Sequence, residues 1–116
     1  MIEWVKEAAN KEFESSPYKT PEFDKFVKSA RRWFRAFVKR NGFENLDFHI
    51  MHFEFSGFFT DKSGQVWYFS SGDVRFKIMK SMLIRTAKDY KDFTGGQNRF
   101  IEYDDQFEDT LLRVIG

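Results

Sequence analysis

The sequence contains no cysteine, which excludes disulfide bonds, zinc–thiolate sites and a cysteine nucleophile. Its 116 residues include only two prolines, and no apolar run approaches the roughly 18 residues that a membrane span requires. The amino-terminal stretch is amphipathic and acidic, unlike a signal peptide. These absences predict a cytoplasmic protein without membrane contact, and the length predicts a single domain over residues 1–116.

Histidine is also scarce, and this limits the chemistry that the chain can support. The only two histidines, His49 and His52, are three positions apart on a predicted strand, so they point to opposite faces. No nucleophile elbow, calcium loop or phosphate-binding loop is present. We therefore expect no active site, no metal and no cofactor, and a small hydrolase using His49 or His52 is the third functional hypothesis.

Aromatic residues, in contrast, are abundant, with 16 Phe, 4 Tyr and 3 Trp. Most of them must be buried in a core, because a surface would not display so many rings. Their spacing predicts a long amphipathic helix over residues 21–40, with Thr20 as N-cap, Pro21 in the first turn and Gly42 after the end. On this helix the apolar residues share an arc of about 140°. They are Phe23, Phe26, Val27, Ala30, Trp33, Phe34, Phe37 and Val38.

The remaining elements predict an α+β fold: an antiparallel sheet of four to five strands packed against this helix, with shorter terminal helices at its edges or on the other face. Alternation of apolar residues predicts one long strand over residues 46–59, with His49, Met51, Phe53, Phe55 and Phe59 toward the core. The other set on that strand is half apolar, which predicts partial cover or a homodimer surface. Two further helices are predicted over 2–14 and 105–115, and Asp104 or Asp105 is expected to cap the second. The other predicted strands cover residues 66–70, 74–78, 82–87 and 99–103. Residues 88–98 are predicted to form a polar loop with Gly95 and Gly96 at its tip.

The net charge of +1 conceals a strongly uneven distribution. Residues 24–40 carry seven basic side chains and one acidic one, and residues 74–99 carry seven basic and two acidic. On the predicted long helix the cations lie opposite the apolar arc. The best candidate binding residues are therefore Lys25, Lys28, Arg32, Arg35 and Lys39.

This basic helix face has almost no acid beyond Asp24 to neutralise it, so it is more than an ordinary face with paired charges. It could line a phosphate backbone or dock on an acidic protein groove, although a merely solvated face is the plain alternative. Three cations that flank the two loop glycines form a weaker second candidate. They are Lys88, Lys91 and Arg99.

Two segments, RTAKDYKDFTGGQNRF and GQVWYFSSGD, resemble small proteins of prophages and other mobile elements. Such proteins often act by stoichiometric binding, including inhibition of host defence complexes. The resemblance implies an accessory protein or inhibitor that docks on a host protein or nucleoprotein complex. Direct binding of DNA or RNA is the second hypothesis. The sequence does not distinguish these partners, nor does it show whether the two basic segments adjoin.

Overall fold

A computed structural model of the chain describes residues 2–10, 20–51, 53–74 and 80–116. These residues form three helices and one antiparallel five-stranded sheet, which confirms the predicted α+β class. The elements in chain order are α1 (Glu3–Asn10), α2 (Pro21–Arg40), β1 (Glu44–Met51), β2 (Glu54–Thr60), β3 (Val66–Ser70), β4 (Ser81–Ala87), β5 (Arg99–Glu102) and α3 (Phe107–Ile115).

The sheet is a meander in the order β1-β2-β3-β4-β5, each strand antiparallel to the next. All three helices cover the same face, here called the helix face. From α2, Phe34 stacks on Phe69 of β3 with ring centroids 4.2 Å apart, and Trp4 of α1 contacts Phe55 of β2 and Phe107 of α3. The terminal helices therefore do not cover the opposite side of the sheet, here called the outer face.

The start and end of α2 follow the signals in its sequence. The Oγ1 atom of Thr20 accepts a hydrogen bond from the Phe23 N–H at 3.2 Å, so Thr20 is the N-cap, and Pro21 occupies the first turn. At the other end Gly42 adopts a φ of 70°, and the Phe43 N–H donates to the Val38 carbonyl at 2.9 Å. Both predicted ends of this helix are confirmed.

The predicted long strand over residues 46–59 is wrong, because the chain reverses between Met51 and Glu54, which pair with each other in the β1–β2 hairpin. No Gly, Pro, Asn or Asp marks this two-residue turn. The reversal lets Phe48 stack on Phe55 across the hairpin at 5.1 Å. It also reverses the assigned faces on β1: Phe48 lies on the helix face, whereas His49 and Met51 are exposed on the other.

The other element predictions differ from the structure mainly at their ends. α3 begins at Phe107 with Gln106 in the N-cap position, and Asp104 instead accepts the Gln106 N–H at 2.8 Å. The proposed strand over 74–78 and the last turn of the proposed helix over 2–14 lie outside the described residues, as does His52. Within the described ranges, no helix is both long and apolar enough to cross a bilayer.

Candidate binding surface

The five cations singled out on the long helix form one exposed stripe along α2, here called the basic ridge. They are Lys25, Lys28, Arg32, Arg35 and Lys39, and all five are exposed. At 100° and 1.5 Å per residue they fall within an arc of about 80° and extend over about 21 Å of helix axis. The ridge therefore presents cations in a narrow, continuous line.

The aromatic core fixes the direction in which this ridge points. Phe34 and Phe37 are fully buried on the opposite side of α2, and Phe34 packs between Trp4 and Phe69. Turning the helix would pull these rings out of contact, and burying one such side chain contributes about 1.5–3 kcal/mol. The ridge is thus held toward solvent by the same residues that hold α2 on the sheet.

The ridge is largely free of compensating acids. Lys28 forms an ion pair with Asp24, one turn earlier on α2, at 3.0 Å. Both side chains are more than half exposed, so this pair adds little stability and is easily exchanged for a partner's carboxylate. Among the described residues, no carboxylate forms an ion pair with any of the other four ridge cations.

Arg40 shows how a cation of α2 behaves when it does have an internal role. Its guanidinium pairs with Glu108 of α3 and lies 5.6 Å from the ring centroids of Trp33 and Phe37. This contact ties α3 to α2. Arg40 is therefore part of the scaffold, and it lies beside the ridge rather than on it.

The outer face of the sheet is partly covered by residues 88–98, here called the strap. Tyr90 stacks on Phe58 with centroids 5.5 Å apart, and its hydroxyl lies 2.7 Å from Thr60 Oγ1. Phe93 packs edge-on against Phe58 and Tyr68. Burial in this contact raises the pKa of Tyr90. The predicted polar loop is therefore anchored to the sheet by two of its aromatic residues.

A single carboxylate organises the strap. Asp92 accepts hydrogen bonds from three main-chain N–H groups, those of Lys88 at 2.9 Å, Gly95 at 2.7 Å and Thr94 at 3.2 Å. These bonds lower the pKa of Asp92. At Gly96, φ is 75° and a Cβ would collide with the Thr86 carbonyl. The two glycines thus allow the backbone of the strap to adopt this conformation.

Arg85 is the residue beneath the strap that the sequence analysis missed. It is only 3% exposed, its guanidinium lies 4.4 Å from the Tyr68 ring centroid, and its Nη2 atom donates to the Asp92 carbonyl at 3.1 Å. The sequence did contain a sign that the loop packs on the sheet, because Tyr90 and Phe93 are aromatic residues in an otherwise polar segment. Arg85 and the two rings hold the strap in place.

The weaker candidates Lys88, Lys91 and Arg99 are exposed at the strap or its ends, and none forms an ion pair with a described acid. The strap packs on Phe58 and Tyr68 of the outer face, whereas α2 packs on Phe55 and Phe69 of the helix face. The sheet therefore lies between the ridge and the strap cations Lys88 and Lys91. Arg99 differs from them, because it pairs with Ile84, which pairs with Phe69, and so it lies on the helix-face side of β5.

The hydrolase hypothesis named His49 and His52, of which His52 lies outside the described residues. His49 lies 3.0 Å from Asp47 on the same strand and directly across from Ser56 on β2. No hydrogen bond joins His49 to Ser56, and the Ser56 residue is 5% exposed, so a Ser–His–Asp relay is not assembled in the described part of the chain. Within the same ranges, no three metal-ligating side chains cluster.

The chain was compared with protein-family models, curated proteins and solved structures. No family model, no curated protein and no solved structure matches the chain. The functional argument therefore rests on the surfaces described above.

Proposed function

We propose that the protein is a non-enzymatic binding protein whose basic ridge docks on an acidic surface of another protein or of a nucleoprotein complex. One observation carries the proposal: five exposed cations lie in a narrow line on a rotationally fixed helix, with one exposed acid as their only internal counter-ion among the described residues. A solvated structural face normally carries both signs of charge in alternation. A negatively charged surface on a partner would complement the charge of the ridge and bind to it.

The distribution of acids favours a compact acidic protein surface over a long polyanion. Nucleic-acid-binding domains are usually strongly basic, with an isoelectric point above about 9. This chain has an isoelectric point near 7.9 and carries exposed acids such as Glu44 on β1, Glu102 on β5 and Asp109 on α3. These acids make the surface outside the ridge mixed in charge, which suits a partner whose acidic patch is about as long as the ridge better than a long polyanion.

Direct nucleic-acid binding is the second candidate, and the ridge itself favours it. Arg32 and Arg35 have no ion-pair partner among the described acids, and arginine forms two-pronged hydrogen bonds with phosphate. The ridge also lacks the aromatic anchors that are common at the centre of protein interfaces. Nucleic-acid binding through about five phosphate contacts would weaken steeply with salt, with a log–log slope near −4.5.

The mobile-element setting is the part of the proposal that the resemblance supplies. An inhibitor of a host complex needs no catalytic group, and stoichiometric docking through one exposed helix fits that mode of action. The function proposed is accordingly that of a phage or mobile-element accessory protein that blocks or recruits a host machine.

The test is affinity capture from a bacterial lysate with wild-type protein, the ridge variant Arg32→Glu/Arg35→Glu and the matched variant Lys6→Glu/Lys62→Glu. Lys6 and Lys62 are exposed and lie off the ridge, so the control carries the same change in net charge. We expect a stoichiometric protein partner with wild type and control, and its loss with the ridge variant. Nuclease treatment of the lysate should leave the capture unchanged.

Two results would overturn the protein-docking proposal. Capture that depends on nucleic acid, with duplex or single-stranded affinity lost in the ridge variant and falling steeply with salt, would establish the second candidate instead. Equal capture by all three proteins would show that the ridge takes no part in binding.

A further inference from the structure

One of the two edge strands of the sheet, β1, has a main-chain edge that no other described strand covers. It lies at one end of the strand order and, within the described ranges, pairs with β2 alone. The direction of its peptide groups follows from Phe55, whose N–H donates to Ser71 Oγ and whose carbonyl accepts from the Ser71 N–H, both at 2.9 Å. The main-chain groups of Phe55 therefore point away from β1.

Main-chain groups alternate in direction along an antiparallel pair. Since Phe55 points toward β3, its neighbours on β2 point toward β1, and they pair there with Met51, His49 and Asp47. The N–H and carbonyl groups of Phe48 and Ile50 are consequently directed outward from the sheet. Among the described residues none of these groups has a hydrogen-bond partner.

The side chains beside this edge are unusual for an exposed one. Ile50 is 37% exposed and Met51 58%, and Leu46 and Phe48 are half-buried at the margin of the core. Proteins usually protect edge strands with charged residues, prolines or bulges. Here the register shift lies at the start of β1, where Asn45 has a φ of 56° and Glu44 is exposed. Residues 46–51 contain no proline and no lysine or arginine, and their one carboxylate, Asp47, lies 3.0 Å from His49.

The sequence of this segment is complementary to itself in the antiparallel direction. If two copies pair about a two-fold axis at Phe48, Leu46 lies opposite Ile50 of the second copy, and the two Phe48 rings lie side by side. On the outer face, Asp47 then lies opposite His49 of the second copy. Within residues 46–50, each apolar residue then lies opposite an apolar residue, and Asp47 lies opposite an imidazole.

The main-chain directions agree with this register. A two-fold axis at Phe48 requires its N–H and carbonyl to point toward the second copy, and they do point outward. The pairing would form about six main-chain hydrogen bonds and join two five-stranded sheets into one. Because such an axis is perpendicular to the sheet, both basic ridges would lie on the same side.

We propose that the protein forms a homodimer by antiparallel pairing of β1 with β1 of a second copy, centred on Phe48. This interface is distinct from the outer sheet face, which the strap partly covers. It does not depend on the function proposed for the ridge, and either can fail without the other.

The test is the oligomeric state of the full chain by sedimentation equilibrium at up to about 100 μM, where even a weak dimer is populated by mass action. Ile50→Lys places a charge opposite Leu46 and should raise the dissociation constant at least about tenfold. The matched control is Phe100→Lys on β5, at the other edge of the sheet, where the ring is 59% exposed. It should leave the dimer intact.

A charge exchange tests the register without touching the apolar residues. His49→Glu places two carboxylates opposite each other and should weaken the dimer, and Asp47→Lys/His49→Glu should restore it. In the wild type, the amides of Phe48 and Ile50 should gain protection from hydrogen exchange as concentration rises. A monomeric wild type at about 100 μM would overturn the proposal. So would dimers that resist Ile50→Lys or dissociate with Phe100→Lys, with folding checked by circular dichroism.

Discussion

The two faces of the sheet are covered in different ways. On the helix face, α2 is held on the sheet by interlocking rings such as Phe34 on Phe69, and Arg40 pairs with Glu108 of α3 beside them. On the outer face, the strap is held by a mixture of rings and polar groups, including the buried Arg85 and the hydrogen-bonded Asp92. The helix face is thus held mainly by aromatic contacts, whereas the strap is held partly by charged groups.

This difference shows why one basic segment is a stronger binding candidate than the other. Because aromatic rings hold α2 on the sheet and its ion pair with α3 is made by Arg40, the five ridge cations are not needed for folding and face solvent. At the strap, in contrast, Arg85 of β4 and Asp92 are engaged in holding the loop itself. Free charge on a rigid element is available to a partner without structural loss, so the ridge is the surface to test.

The largest expected effect breaks the helix-face packing. Phe34 is fully buried and contacts rings from α1, β1, β2 and β3. Phe34→Ala should lower the free energy of unfolding by about 3–5 kcal/mol, because it removes these contacts and leaves a cavity. Urea denaturation measures this. Near-neutral stability would contradict the orientation of α2, and with it the position of the ridge.

The next effect concerns the strap. Arg85→Ala removes a desolvated cation–π contact with Tyr68 and the hydrogen bond to the Asp92 carbonyl. The expected loss is about 2–3 kcal/mol. Lys88→Ala, an exposed cation of the same segment, is the control and should change stability by less than about 0.5 kcal/mol. Equal effects of the two substitutions would show that Arg85 does not anchor the strap.

Acid should loosen the strap through Asp92. The N–H groups of Lys88, Gly95 and Thr94 lower the pKa of this carboxyl below its ordinary value of 3.8. When the pKa of a carboxyl is lower in the folded protein than in the unfolded chain, the carboxylate stabilises the fold fully above its ordinary pKa. This stabilisation is lost as the pH falls through the pKa of the folded state. The Gly95 amide resonance, followed from about pH 6 to about pH 2, should titrate with a midpoint below 3.8. A midpoint above 3.8 would contradict the hydrogen-bond network, and Asp92→Asn should abolish the transition.

The smallest expected effect is on the ridge itself. Lys28→Ala removes only an exposed ion pair with Asp24 and should change the free energy of unfolding by less than about 0.5 kcal/mol. A larger loss in thermal or urea denaturation would show that the ridge supports the fold. That outcome would remove the contrast between the two basic segments.

Much of the helix layer was predictable because its signals are local. The cap at Thr20, Pro21 in the first turn, Gly42 after the end and the ring spacing in between define α2 without reference to the rest of the chain. The five ridge residues follow from the same periodicity. Their exposure was predictable for that reason.

The outer face was not predictable, because it depends on pairings between distant residues. The sequence between Met51 and Glu54 lacks the usual turn residues, and the hairpin brings Phe48 onto Phe55. The burial of Arg85 requires Tyr68 from one strand and Asp92 from a later loop. No spacing rule within one segment connects such residues.

The most direct test of the account compares the two basic segments in one binding experiment. The dissociation constant for the captured partner is measured for wild type, Arg32→Glu/Arg35→Glu on the ridge and Lys88→Glu/Lys91→Glu on the strap, which carry the same change in charge. We expect the ridge variant to bind at least about 30-fold more weakly, a loss of about 2 kcal/mol, and the strap variant to stay within about twofold of wild type. Loss of binding in the strap variant with the ridge variant unaffected would contradict the account.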